Sequence, residues 1–471
     1  MNDSVDNAEQ TFKRFVNRLA QVCDNVRGKN GNTVSSIAVL EEPEGIHYIV
    51  GSNNRRGAKL QEVEDFIKQL LEIVAKSRTA GGVSPVRSEA LWHILKFDEN
   101  RVEFYLASTM KHLGGCISDY DRRHTELPLA SEASKFRNQL FQLKELIKFA
   151  EDDKLEESQY FAECERLFVF IHLLQRLNFG DSISEQAEDG QINRESWKEL
   201  RHFVGRLHSY YLSVDTLIRA SRRWDRLCHD FNVTAIPSAV VMPHPLSNKR
   251  PTAYDILGRM TSSDEMMAKY RSQAAELQQN GLDEKILMEC NNSSQTHMVH
   301  AEVLVLDYVL NYLRESDDAK FWSNWRYIGS SKPTCRLCNY YFTAHSSGVQ
   351  VRESHNNLYP HWRAPDVFDN NTMNMMESLL NAVIKKTRTD AIRSLESQTS
   401  QGRVHDSNSF SASLRTETAS ISELVSGIAD LGIPDTIPED KEEDGRTTFR
   451  ETRDQEEEDV IVFRGRKYLS H

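Results

Sequence analysis

Four residues in two short segments constrain this chain more than anything else in it. They are His300 and Glu302, in His297-Met-Val-His300-Ala-Glu302, and Cys335 and Cys338, in Lys332-Pro333-Thr334-Cys335-Arg-Leu-Cys338. If they act together, the fold must return residue 335 to residue 300. Leu306, Val309, Leu310 and Leu313 recur at the spacing of a buried helix face, so His300 and Glu302 fall at that helix's N-terminal edge. Trp325-Arg-Tyr-Ile-Gly-Ser-Ser predicts a strand running toward Cys335, and Asn-Tyr-Tyr-Phe after Cys338 suits a second helix.

Two thiolates and one imidazole are a ligand set for zinc that leaves a tetrahedral position for water, as catalytic zinc sites do. A Cys-x-x-Cys pair at a helix start turns both sulfurs to one ion, and the helix dipole favours thiolates. Zinc lowers the pKa of its water to about 7. A carboxylate two residues from the histidine, itself no ligand, can take that proton and pass it to a leaving amine. Two plainer readings stay open for Cys335 and Cys338: a redox pair, or half of a closed structural site. A closed site needs a fourth ligand, and His297, His345, His355 and His361 are available. His297 reads as part of the preceding strand or loop and is not assigned as a ligand.

The order, the spacing and the upstream proline together match the His-x-Glu…Pro-Cys-x-x-Cys signature of zinc deaminases. The chain thus resembles the cytidine deaminase-like superfamily, in particular a poorly characterised nucleic acid/nucleotide deaminase-like branch common in fungi. The likeness rests on His300-Ala-Glu302 and Pro333-Thr-Cys335-Arg-Leu-Cys338, with Tyr359-Pro-His-Trp362-Arg-Ala-Pro365 adding to it, and it covers about 285–370. It implies an α/β fold, an α/β/α sandwich around a mixed five-stranded sheet. It also implies zinc on His300, Cys335 and Cys338, Glu302 as acid/base, and a zinc-bound hydroxide attacking the amine-bearing carbon of a nucleobase. In one respect the sequence departs from the common pattern. Thr334 separates Pro333 from Cys335, which bears on the loop more than on the ligands.

The superfamily opens with a helix and a β-hairpin ahead of the His-x-Glu helix. Residues 8–24 suit that helix, with Phe12, Phe15, Val16, Leu19 and Cys23 at helical spacing. Ser36-Ile-Ala-Val-Leu and Ile46-His-Tyr-Ile-Val, around Glu-Glu-Pro-Glu-Gly, predict the hairpin. Both lie far upstream of His300. Either a helical block of about 58–280 interrupts the fold, or the first strands are local, from 235–241 and 285–299. The hairpin reading makes Asn53 or Asn54 a candidate substrate contact by family likeness; as plain turn residues both tolerate left-handed geometry.

From 58 to 234 the pattern is mostly helical, as in the Val63, Phe66, Ile67, Leu70, Leu71, Val74 stripe, and predicts an all-α bundle. Residues 253–279 and 372–394 are also expected helices. The domains expected are 1–57, helix and hairpin; 58–280, helical domain or insertion; 281–395, zinc deaminase-like catalytic domain; and 396–471, linker and acidic tail. The tail, rich in Glu, Asp and Arg, is expected to be disordered. Val460-Ile-Val-Phe-Arg-Gly-Arg-Lys-Tyr within it reads as an edge strand or a docking peptide.

No run approaches the roughly eighteen apolar residues of a membrane span, so no membrane partner is expected. The N-terminus lacks the basic and apolar regions of a secretory signal, and the seven scattered cysteines do not form a disulfide framework. Cytoplasm or nucleus is the expected location. A net charge of −12 argues against a chain whose main task is coating a polyanion. Arg219, Arg222, Arg223 and Arg226, around Trp224, could grip phosphates, but Asp215, Asp225 and Asp230 dilute them into an ordinary solvated face. Trp322, Trp325, Tyr340, Tyr341, Phe342 and Trp362 could stack on a base, though such density usually means core. The expected function is zinc-dependent hydrolytic deamination of a nucleobase that is free, in a nucleoside or in nucleic acid. The alternative is an inactive deaminase-fold scaffold with structural zinc, binding protein partners through its helical region.

Overall fold

The computed structural model describes residues 3–26, 34–78, 83–124, 132–152, 154–189, 193–246, 249–291, 296–316 and 318–397. Beyond Ser397, the expected linker and acidic tail lie outside the described residues. In chain order the elements begin with α1 (Asp3–Val22), β1 (Ser35–Glu42), β2 (Gly45–Ser52) and α2 (Ala58–Ala75). Next come α3 (Val83–Phe97), α4 (Glu99–Arg123), α5 (Glu132–Ile147), α6 (Glu157–Arg176), α7 (Phe179–Asp189) and α8 (Arg194–Arg223). They are followed by β3 (Phe231–Ala235), β4 (Met242–Pro243), α9 (Ala253–Leu257), α10 (Asp264–Gln278), α11 (Leu282–Asn291) and β5 (Thr296–His297). The last are α12 (Ala301–Glu315), β6 (Lys320–Phe321), β7 (Tyr327–Ser330), α13 (Arg336–Ala344), β8 (Gln350–Val351) and α14 (Asn370–Ser397).

The described residues divide into two compact units, one made of those up to 78 and from 216 to 397, the other of those from 83 to 215. The first holds a mixed sheet in the order β3-β2-β1-β7-β8, with β6 pairing beside β1. β1 runs antiparallel to β2 and to β7, while β3 lies parallel to β2 and β8 parallel to β7. The hairpin expected over 36–52 is therefore the heart of the sheet, with Ser36 opposite Gly51 on one side and Ser330 on the other. Ile37, Ala38, Val39 and Leu40 are all buried, as a central strand covered on both faces requires.

Helices cover the two faces. α1 packs on β1 and β7. The contact is close: a Cβ on Gly329 would stand 2.6 Å from Val16 Cγ1 and 2.8 Å from the Val16 carbonyl carbon. On the opposite face α12 crosses β1, β2 and β7. There Ala38, Leu40, Ile49 and Ile328 pack with Val303, Val305, Leu306 and Val309 into one core that also includes Cys335 and Cys338. Gly51 admits Val305, whose Cγ2 would lie 2.7 Å from an added Cβ. At the far end of α12, the Tyr312 hydroxyl donates to Glu42 at 2.7 Å, and His47 bridges Glu42 and Thr234 at 2.8 Å each.

The α/β architecture with a large all-helical region is as expected, but two segments differ. Phe231–Ala235, inside the expected helical stretch, is strand β3, because Val233 and Ala235 bury against β2 while Asn232 points outward. Of the 285–299 alternative, residues 285–291 are helix instead of strand: Leu282 and Ile286 fall one turn apart and pack against Tyr270, Ala274 and Ala253. Among the described residues, every regular element of the second unit is a helix: α3 to α7 and the greater part of α8, with Trp197 fully buried.

Candidate metal centre

His300 occupies the N-cap of α12, with extended backbone angles (φ −70°, ψ 149°) and no side-chain cap of its own. Its ring faces α13: Nδ1 is 3.5 Å from Cys335 Sγ and 3.4 Å from Cys338 Sγ. Cys335 is in turn the N-cap of α13, its sulfur accepting the Cys338 backbone N–H at 3.4 Å. Two helix N-termini thus meet, and their dipoles favour anionic sulfur. The three ligand atoms lie within 4.8 Å of one another.

The loop that delivers Cys335 is fixed from several sides. Arg352 donates to the carbonyls of Ser330 and Ser331, each at 3.3 Å. Thr334 donates its N–H to Glu353 and accepts from His355, forming a short parallel bridge with Ser354. Arg336 N–H bonds to the Asn357 carbonyl at 3.0 Å. The extra residue between Pro333 and Cys335 is a rung of this bridge, and Cys335 and Cys338 both lie against His300. The Thr334 hydroxyl is buried without a hydrogen-bond partner.

The donor set fits zinc. Bonds of about 2.3 Å to sulfur and 2.0–2.1 Å to nitrogen at tetrahedral angles put S and N roughly 3.5–3.6 Å apart. Both separations here fall close to that value. Their near equality suits a shared ion better than one hydrogen bond from a single ring N–H.

Charges at the site are strongly interdependent. A hydrogen bond from Cys338 and the adjacent His300 ring hold the Cys335 thiol well below its usual range, against the effect of burial. Burial, and then the neighbouring Cys335, push the Cys338 thiol up. Burial pulls His300 down, but the Cys335 sulfur and Glu302 outweigh it and the imidazole is raised. Glu302 is 4% exposed and interacts with His300, Cys335 and Cys338. Burial raises its carboxyl, with His300 opposing. Glu302 is outside the converging ligand set, beside it in the first turn of α12.

Residues 299–366 match a family model described as an OTT_1508-like deaminase. Over this span the chain is similar to deaminases of the cytidine deaminase-like kind. No curated protein and no solved structure matches the chain. The matched span contains all four motif residues and the Tyr359–Pro365 segment.

The other sequence candidates sit elsewhere. Among the described residues, none of the four spare histidines joins the ligand group. His345 Nδ1 accepts from Ser347 N–H, His355 Nδ1 accepts from Asn357 N–H, and His361 donates to the Thr296 carbonyl. The His297 ring neighbours those of His244 and His361, at centroid distances of 5.0 and 6.2 Å. Trp224, Trp322, Trp325 and Phe12 pack on one another at centroid distances of 4.9–6.5 Å, and Arg226 pairs with Glu41. Tyr341 packs against Trp362, and Tyr340 bonds to Asp390. Asn54 is exposed, whereas Asn53 is buried and accepts the Ala301 N–H at 2.7 Å. The supports from Arg352, Glu353 and Asn357 carry no sequence signal: the Arg352 guanidinium reaches backbone carbonyls and the other two act through their own carbonyls, which spacing does not reveal.

Proposed function

We propose that this chain is a zinc-dependent hydrolytic deaminase acting on a nucleobase, whether free, in a nucleoside or in nucleic acid. One observation carries the reading: two sulfurs and an imidazole converge in a deaminase-like domain, with a buried carboxylate in the same helical turn as the imidazole. His300, Cys335 and Cys338 would hold the ion. When bound, zinc supplies a water acidic enough to lose its proton near neutral pH.

The remaining chemistry belongs to Glu302. Its carboxylate takes a proton from the attacking water and delivers it to the departing amine, which leaves as ammonia. A buried carboxylate next to the converging ligand atoms is placed both to accept a proton and to return one. Burial removes competing water and strengthens each charge interaction at the site. The Cys335 sulfur, held well below the usual thiol range, interacts electrostatically with both His300 and Glu302.

Ammonia release from a panel of free bases, nucleosides and oligonucleotides tests this reading, with zinc content measured in parallel and Glu302→Ala as control. Deamination that persists in Glu302→Ala would reject the proton-transfer role. A zinc-loaded chain inert across the whole panel would favour the inactive scaffold.

A further inference from the structure

We propose that Asn53 is a positioning residue for the metal site, a substitute helix cap that frees His300 to be a ligand. This rests on reading His300, Cys335 and Cys338 as metal ligands. An α-helix begins with four backbone N–H groups that no carbonyl of its own turn satisfies. The residue at the N-cap usually supplies an oxygen for one of them, which is why Ser, Thr, Asp and Asn dominate there. α12 has histidine at that position, and its ring is turned to Cys335 and Cys338. The oxygen comes instead from a residue 248 positions away: Asn53 Oδ1 accepts the N–H of Ala301 at 2.7 Å.

That oxygen is held in place. Asn53 is 4% exposed, and its own N–H bonds to the Val34 carbonyl at 3.0 Å. Ser238, also buried, clamps the residues on both sides of it. The Ser238 hydroxyl donates to the Ser52 carbonyl at 2.6 Å and accepts the Arg55 N–H at 2.6 Å, and the Ser238 N–H bonds to the Arg55 carbonyl at 3.1 Å. Ser238 follows β3 after Ile236 and Pro237, and β3 is the strand through which the chain re-enters the sheet after α8. A continuous path therefore runs from Ser238 through residues 52–55 to Ala301, and from there to the adjoining ligand. Losing the cap frees the first turn of α12, and with it both His300 and Glu302. The cost is preorganisation of the ligand set, which appears as metal affinity. Partners outside the ligand sphere commonly hold about 10–100-fold of that affinity.

The test is cobalt(II) titration of the full chain, read by thiolate-to-cobalt charge-transfer absorption, followed by competition with zinc(II). Circular dichroism verifies the fold of each variant. Asn53→Ala is expected to weaken both metals at least about tenfold. Asn53→Asp, which keeps an acceptor oxygen, is expected to stay within about threefold of the wild type. Asn53→Ala binding like the wild type, or Asn53→Asp falling as far as Asn53→Ala, would overturn the proposal while leaving the metal site standing. A wild-type chain that binds neither metal would overturn this proposal together with the zinc reading. If Asn53→Ala does not fold, Ser238→Ala carries the test: weaker binding with an altered charge-transfer band supports the path, and unchanged binding overturns it.

Discussion

The Nδ1 of His300 lies 3.4 Å from the Sγ of Cys338, linking the N-terminus of α12 to the first turn of α13 across 38 positions of sequence. Without an ion, that link depends on one imidazole and two coupled thiols in a buried site. With one, the two helix starts are joined by bonds.

Metal removal should therefore lower stability as well as activity. Ligand linkage gives about 4 kcal/mol at a free metal concentration a thousandfold above the dissociation constant. Elemental analysis of the purified chain should find one zinc per molecule, and close to none in Cys338→Ala. Melting with and without a strong chelator should show a lower midpoint for the chelated wild type and no chelator effect in Cys338→Ala. A wild-type midpoint indifferent to the chelator would contradict the prediction.

Glu302→Gln isolates proton transfer from metal binding. The amide keeps the shape of the buried carboxyl but cannot cycle a proton, and Glu302 is not among the converging ligand atoms. A positioned acid/base group contributes about 10²–10⁴-fold. Turnover should fall in that range while zinc content stays at the wild-type level. Steady-state ammonia release and elemental analysis of the same preparation separate the two effects.

The two close-packed glycines should differ in their tolerance of alanine. At Gly51 the new Cβ meets the Val305 Cγ2 methyl, which can shift by a small rotation. At Gly329 it meets Val16 Cγ1 and also main-chain atoms of Val16 and Asn17 at 2.8 and 2.9 Å, which cannot move unless α1 moves. Overpacking costs about 1–3 kcal/mol, occasionally more. Gly51→Ala should sit at the low end and Gly329→Ala at or above the high end. Urea unfolding of both variants checks the order, and equal losses would contradict it.

What could be read in the sequence followed from local pattern. The hairpin was legible because Ile37 to Leu40 and Ile46 to Val50 are apolar runs around a Pro/Gly turn. That His300, Cys335 and Cys338 could meet was legible because Cys335 and Cys338 fix their own spacing and His300 opens a strongly periodic helix. Strand β3 was harder, since Phe-Asn-Val-Thr-Ala is short and follows a 30-residue helix, so its pairing with β2 is a tertiary fact. The Asn53 cap was out of reach for the same reason: a turn asparagine looks alike whether its oxygen meets water or the Ala301 N–H. Spacing also could not tell that Thr334 would be taken up as a rung beside Ser354.

The helical unit carries its own pH dependence, at Asp119. This carboxylate is 2% exposed, accepts the Trp197 indole N–H at 2.9 Å, and pairs with Arg122 at 2.7 Å and Arg123 at 2.9 Å. Burial raises its pKa, but the Trp197 and Arg122 hydrogen bonds and the Arg123 charge outweigh that, so the group titrates below its ordinary value. The unfolded chain, with an Asp pKa of about 3.9, then binds this proton more readily than the folded one. The stabilisation is fully present above the unfolded value and is lost as pH falls through the folded value. Asp119→Asn should cost about 2 kcal/mol at pH 7, the scale of hydrogen bonds to a charged group. The gap between the two proteins should close as pH drops below about 4. Urea unfolding of both proteins from neutral to acid pH measures that gap, and a gap constant across the range would remove Asp119 as the titrating group.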